Sequence, residues 1–142
     1  MRTVRRQVAA VLVLGLVMAM NLVGVAHADE ADRGRCTAGG DTIYGTVYHE
    51  PRSNGTTYVD RMSFTIQDNR AAKNNVYARL RGNGGSTTYW AFTSGDNIRG
   101  EQTYQFQVDE IVPRSANPYM KFHLTADQSG ADPSCSFNVY LY

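Results

Sequence analysis

Two histidines and a glutamate are the side chains beyond residue 28 that could exchange protons with a substrate. His49, Glu50 and His123, with Arg79 or Arg81 to hold a phosphate, form the kind of set that small secreted ribonucleases use. His49 and Glu50 are adjacent, however, and adjacent residues of a strand point to opposite faces. No spacing connects His123 to either of them. We therefore interpret these groups as structural or surface residues, and a secreted ribonuclease remains an alternative.

Other catalytic and metal-binding patterns are weaker. The chain has no G-x-S-x-G sequence, which argues against a serine hydrolase of that type. Asp96-Asn97 with Glu101, or Asp127 with Asp132, could offer oxygens to calcium, but neither spacing fits a known calcium loop. Residues 54–56 match a glycosylation sequon and equally a hairpin turn. We expect no enzyme activity, no metal and no cofactor.

The first 28 residues have the layout of an export signal. Arg2, Arg5 and Arg6 precede an apolar run over residues 8–25, and Ala26-His27-Ala28 provides a cleavage site. A membrane anchor is the alternative, since the apolar run approaches the length that spans a bilayer. Cleavage is favoured, so we predict a secreted protein that begins at Asp29. The general and the twin-arginine export routes both remain open.

Cleavage leaves 114 of the 142 residues, enough for one domain with one core. The remaining 11 basic and 13 acidic residues give a formal net charge of −2. Nucleic acids and anionic membranes are bound by dense cationic patches. The charge balance therefore argues against both as the principal partner.

Cys36 and Cys135 stand near the two ends of the exported part. An even pair of cysteines in an oxidising compartment favours a disulfide. On the chain-entropy model, a disulfide that closes the loop between these two cysteines destabilises the unfolded state by roughly 4 to 5 kcal/mol. We expect this bond to contribute a large share of the stability of the domain.

Alternating apolar and polar residues predict an all-β domain over residues 36–142. Turn residues separate seven strands, a number typical of an antiparallel β-sandwich, with a small β-barrel as the alternative. The predicted strands are Thr42–His49, Thr56–Gln67, Val76–Arg81, Ser86–Thr93, Glu101–Val108, Tyr119–Ala126 and Cys135–Tyr142. Residues 68–73, which are predicted as a connection between strands, could instead form one helical turn.

The segment before Cys36 is charged and has no apolar anchor, which predicts a flexible arm over residues 29–35. Such an arm could insert into the cleft of a partner, with an arginine as its charged anchor. A protease inhibitor that presents an arginine would use the same physics, and a solubilising leader is the simpler alternative. The candidate contact residues of the arm are Asp29, Glu30, Asp32, Arg33 and Arg35.

Tyrosines concentrate opposite the aliphatic face of the predicted strands. Tyrosine offers a large contact area and a hydrogen-bonding tip, which suits a surface that binds protein. Cross-strand tyrosine pairs that only strengthen the sheets are the alternative. The predicted surface comprises Tyr44, Tyr48, Tyr77, Tyr89, Tyr119 and Tyr140, with Arg79, Arg81 and Lys121 in the same register and Tyr142 at the end of the chain.

These features together, an exported β domain with one end-to-end disulfide and an arginine-containing arm, resemble the small bridging subunit of the umbrella toxin particles that streptomycetes secrete. Nine arginines against two lysines in residues 29–142 suit an actinobacterial source. The resemblance implies an adaptor that joins a lectin-like, trypsin-fold subunit to a stalk subunit bearing a toxin. It also implies that residues 29–35 enter the lectin cleft while the domain faces the stalk. We therefore predict a non-enzymatic, secreted protein-binding adaptor of an extracellular antibacterial complex.

Overall fold

The computed structural model describes residues 30–67, 74–96, 98–127, 130 and 132–142, and these residues form an all-β domain of eight strands. Short 3-10 turns at Asn83–Gly85 and Arg114–Ala116 connect some of them. The strands are β1 Glu30–Ala38, β2 Asp41–Pro51, β3 Thr56–Gln67, β4 Asn74–Gly82, β5 Thr87–Thr93, β6 Thr103–Pro113, β7 Tyr119–Ala126 and β8 Ser134–Tyr140. The described residues contain no helix of the length and apolarity needed to cross a bilayer.

The strands form two antiparallel sheets of four strands each. The order is β1-β2-β3-β6 in the first, called sheet A, and β5-β4-β7-β8 in the second, called sheet B. The inner faces of the two sheets pack against each other, so the predicted sandwich is confirmed and the closed barrel is not formed.

The core lies between the sheets and follows the alternation of the sequence. On β7, Met120, Phe122 and Leu124 are fully buried, while the residues between them are half-buried on the outer face. Phe64 on β3 is equally enclosed. Where the pairing is regular, as on β7, a strand therefore contributes every second side chain to a single core, as the period of two requires.

The predicted disulfide is confirmed. Cys36 on β1 and Cys135 on β8 are joined by an S–S bond of 2.05 Å, with their Cα atoms 6.0 Å apart. β1 is the edge of sheet A and β8 is the edge of sheet B, and the two strands lie against each other. The bond therefore closes one lateral side of the sandwich.

The prediction of a flexible arm is wrong for the part of it that the structure describes. Glu30, Asp32, Arg33 and Arg35 belong to β1, which pairs with β2 from Glu30 opposite His49 to Ala38 opposite Asp41. The described part of the domain therefore has eight strands rather than the predicted seven. Asp29, like the predicted signal over residues 1–28 and the possible turn over 68–73, lies outside the described residues.

The sequence of β1 hides its strand character because its inward positions need small side chains. Gly34 faces β8 so closely that a Cβ atom there would lie 2.5 Å from the ring of Phe137. The next inward residue is the disulfide-bonded Cys36, and the previous one is Asp32, which pairs with a histidine. No apolar alternation results, although the backbone is fully paired with β2.

Candidate functional site

The structure divides the predicted tyrosine surface between two opposite outer faces. Tyr44 and Tyr48 lie on β2 and therefore on the outer face of sheet A. Tyr77, Tyr119 and Tyr140 lie on β4, β7 and β8, on the outer face of sheet B. One partner surface cannot contain both groups, because the whole thickness of the sandwich separates them.

Tyr89 lies on neither outer face, which corrects its predicted orientation. Leu80 pairs with Trp90 and Arg81 pairs with Thr88, so Tyr89 is an extra residue at a β-bulge. Its ring packs against the core beside the inward-facing Gly82, where a Cβ atom would lie 3.1 Å from Cε2 of Tyr89. The bulge reverses the alternation on which the sequence prediction depends.

Three cross-strand rows on β4, β7 and β8 make up the outer face of sheet B. The first row is Tyr77, His123 and Ser136, and the second is Arg79, Lys121 and Asn138. The third row is Arg81, Tyr119 and Tyr140. We call the following seven residues the basic-aromatic face: Tyr77, Arg79, Arg81, Tyr119, Lys121, His123 and Tyr140.

Contacts within the basic-aromatic face hold its rings in place. The rings of Tyr77 and His123 stack with their centroids 4.5 Å apart, and the guanidinium of Arg79 lies 5.0 Å from the centroid of Tyr77. The ring centroids of Tyr119 and Tyr140 are 5.5 Å apart. Stacked rings and cation-π contacts of this kind restrict side-chain rotation before any partner arrives. These contacts therefore restrict the rings of Tyr77 and His123 and the guanidinium of Arg79.

One cation of the face is also fixed by the backbone. The guanidinium Nη2 of Arg81 donates a hydrogen bond to the carbonyl oxygen of Gly85 at 2.5 Å, and this ties β4 to the turn that follows it. Tyr140 is 46% exposed and continues towards Tyr142, whose ring centroid is 6.0 Å away. The face thus ends in two accessible tyrosines near the end of the chain.

The charge of this face is positive. Among the described residues, the outward positions of β4, β7 and β8 hold no carboxylate, while Arg79, Arg81 and Lys121 are cationic. Burial, and then the charge of Lys121, lower the pKa of His123 below its ordinary value. The lowered pKa favours the neutral form of His123, which adds an aromatic ring with hydrogen-bonding nitrogens to the face.

A cleft of about 280 Å³ lies at one end of the face, beside the stacked Tyr77 and His123. Its polar lining comes from Asn75, Thr93, Ser94, Asp96 and Thr125. Nε2 of His123 lies 3.2 Å from Oγ1 of Thr125, and Ser94 Oγ accepts a hydrogen bond from the backbone N–H of Val76. Asp96 contributes a carboxylate to this lining.

The structure does not bring the two candidate acid/base histidines together. His49 is fully buried on the inner face of sheet A, where its Nε2 lies 2.8 Å from Oδ2 of Asp32. His123 lies on the outer face of sheet B. Of these two histidines, only His123 shares the outer face of sheet B with Arg79 and Arg81.

The outer face of sheet A carries the remaining predicted contact residues. Arg33 pairs with Thr46 and Arg35 with Tyr44, so both arginines of β1 are held on a strand. Arg61 lies 4.1 Å from the centroid of Tyr48 and forms an ion pair with Asp60. This face mixes acidic and basic groups and lacks the single sign of charge found on sheet B.

One residue of the basic-aromatic face is absent from the predicted contact surface. His123 enters the sequence interpretation only as an acid/base group, although it shares the outward alternation of Lys121. That alternation is the signal that could have placed it on the surface. The cross-strand partners could not be found in this way, because the order of strands in a sheet depends on contacts between distant parts of the chain.

The described residues contain no group of three histidine, cysteine, aspartate or glutamate side chains that could hold a metal ion. Comparisons with protein-family models, curated proteins and solved structures return no match for this chain.

Proposed function

We propose that the chain is a secreted, non-catalytic adaptor that binds an acidic surface of a larger secreted protein through its basic-aromatic face. The observation that carries this proposal is the union of Arg79, Arg81 and Lys121 with preorganised rings on one face of sheet B. Arginine and tyrosine are enriched where proteins meet, because they combine large contact areas with directional polar groups.

The small number of positive charges favours a protein over a nucleic acid as the binding partner of this face. Three cations on the face and a net charge of −2 over residues 29–142 are too few for the phosphate contacts on which nucleic-acid affinity depends. An acidic protein surface needs only a few matched charges, together with contact area from the rings. The disulfide suits an oxidising, extracellular compartment, in agreement with the predicted export signal.

For the identity of the partners, we propose that the adaptor bridges a lectin-like subunit and a stalk subunit of an antibacterial toxin particle. The support for these partners is the resemblance in size, export signal, all-β body and end-to-end disulfide. A cleft insertion by a free arm over residues 30–35 is not part of the proposal, because these residues form β1.

Charge reversal tests the proposal. The double variant Arg79→Glu/Lys121→Glu should lose capture of the native partner from culture supernatant, while Arg33→Glu/Arg35→Glu provides a control with the same change of charge on the opposite face. Both variants should retain the folded circular dichroism spectrum. Partner capture that survives the first variant, or fails equally in the second, would refute the assignment of the face.

Mass spectrometry of the captured proteins tests the proposed identity of the partners. A toxin-bearing stalk or a lectin-like protein is the expected result. Turnover of RNA by the pure protein would instead favour the ribonuclease alternative.

A further inference from the structure

The lateral side opposite the disulfide is bounded by two edge strands, β5 of sheet B and β6 of sheet A. An edge strand presents unpaired backbone N–H and C=O groups at alternate residues, and these groups can pair with another extended chain. The rings of Phe92 on β5 and Phe106 on β6 are 4.1 Å apart, so the two edges meet through side chains.

Three of the four edge strands carry features that oppose pairing with another chain. β1 has four charged residues, including the inward-pointing Asp32. β8 is bonded to β1 and lies against it. β5 is interrupted by the bulge at Tyr89. Charges, bulges and coverage by neighbouring segments are the usual protection of sheet edges.

β6 differs because its first half has none of these features. Residues 103–108 contain no charge, proline or glycine and pair regularly with β3 from Thr103 opposite Thr65 to Gln107 opposite Arg61. The register shifts only beyond Gln107, where Asp109 has a positive φ of 51°. Five consecutive residues, 103–107, therefore offer a regularly paired, uncharged backbone edge, and the uncharged stretch continues to Val108.

The side chains beneath this edge are aromatic and only partly covered. Tyr104 and Phe106 are half-buried and stack on the fully enclosed Phe64, with centroids 5.3 Å and 6.1 Å away. An added strand would cover the exposed parts of both rings while its backbone completes the ladder. The edge thus offers hydrogen bonds and apolar area to the same ligand.

The charges at the ends of this edge indicate whether a second copy of this chain or a different protein pairs with it. Asp109 and Glu110 follow one end, and Glu101 precedes the other. An antiparallel pair of two β6 strands centred on Gln105 brings the Asp109 end of each strand close to the Glu101 end of the other, with Glu101 in the turn before β6. Like charges facing each other across a ladder are destabilising.

We propose that the Thr103–Val108 edge of β6 is a docking site for an extended segment of a different protein, which adds as a fifth strand to sheet A. The segment has an uncharged centre and a lysine or arginine at the end that meets Asp109 and Glu110. This site lies away from the basic-aromatic face and does not depend on it, so the two sites together would give an adaptor two unlike surfaces.

Amide hydrogen exchange followed by NMR tests the site with a defined probe. The probe is a capped octapeptide of alternating threonine and valine with lysine at its first position, and a matched peptide has glutamate there. With the lysine peptide at saturation, alternate amides of residues 103–108 should exchange at least about tenfold more slowly. The glutamate peptide should bind at least about threefold more weakly, and Glu110→Gln should reduce that difference.

Other outcomes overturn the proposal. Unchanged exchange in β6 at millimolar peptide, or slowed exchange at β1 or β8 instead, would show that the edge is not the site. Concentration-dependent dimerisation that protects β6 without any peptide would assign the edge to a second copy. Arg79→Glu/Lys121→Glu should leave the peptide effect unchanged, so failure of the basic-aromatic face and failure of this site can be told apart.

Discussion

His49 and Asp32 join the second strand to the first strand from inside the sandwich: Nε2 of the fully buried imidazole lies 2.8 Å from Oδ2 of the carboxylate. Asp32 itself is half exposed, so the pair lies at the boundary between core and solvent. A buried polar group that loses its partner retains the full cost of its desolvation. The pair therefore fixes β1 to the sheet.

We expect Asp32→Ala to destabilise the domain by about 1 to 3 kcal/mol, because the imidazole of His49 would remain buried without this partner. Urea unfolding at pH 7 measures the change. Arg33→Ala, on the outer face of the same strand, is the control and should cost less than about 0.5 kcal/mol. Equal effects of the two substitutions would mean that the pair contributes nothing specific.

Gly45 leaves room for a ring of the opposite sheet. A Cβ atom at this position would lie 2.8 Å from Cε2 of Phe122, which is fully buried on β7. We expect Gly45→Ala to destabilise the domain by about 1 to 3 kcal/mol through overpacking. Thermal unfolding of this variant beside Thr46→Ala, which faces outward on the same strand, separates overpacking from any general effect on β2. A stabilised Gly45→Ala variant would contradict the geometry.

The disulfide constrains almost the whole domain, since its cysteines are 99 residues apart. We expect the double variant Cys36→Ser/Cys135→Ser to lose about 4 kcal/mol of stability, mostly through the larger entropy of its unfolded state. Urea unfolding with and without a reductant measures the loss, and the reductant should have no effect on the double variant. A loss below about 1 kcal/mol would mean that the unfolded chain stays compact without the bond.

His123 gives the stability of the domain a defined pH dependence. Burial and the charge of Lys121 lower its pKa, so the unfolded state binds a proton more readily than the folded state. This contribution to stability is complete above the ordinary pKa of about 6.5 and is lost as the pH falls towards the lowered value. We therefore expect the free energy of unfolding of the wild type, relative to that of His123→Gln, to decrease as the pH is lowered from 8 to 5.

An NMR titration of the His123 ring gives a direct check. We expect Lys121→Gln to raise the pKa of His123 towards its ordinary value, because one of the two causes of the shift is removed. Arg35→Gln, on the opposite outer face, should leave it unchanged. A wild-type pKa at or above the ordinary value would refute the burial of this ring.

The sequence is sufficient to predict the disulfide and those strands in which apolar and polar residues alternate without interruption. β7, from Tyr119 to Ala126, agrees with the prediction at both ends, because its inward side chains are all apolar and buried. β1 escapes prediction because its inward residues are small or polar, and Gly34 is small since it lies against Phe137. Local hydrophobic patterning cannot reveal a strand whose packing partner is about a hundred residues away.

The candidate site is only partly predictable for a related reason. Alternation places Arg79 and Lys121 on the outside of their strands, and pairing in sheet B then makes them neighbours. The same alternation groups Tyr44 with Tyr77, although they belong to different sheets. Which sheet receives a strand depends on long-range contacts, and so does the extra residue at Tyr89.

The bond between Cys36 and Cys135 also determines how the molecule responds to tension. If one neighbour pulls on the beginning of the chain and another pulls on its end, the load passes from β1 to β8 through two sulfur atoms. The residues between the two cysteines are bypassed, whereas β1 before Cys36 and β8 after Cys135 still carry the load. A linker built in this way would transmit force between its attachments without extending the residues that the disulfide encloses.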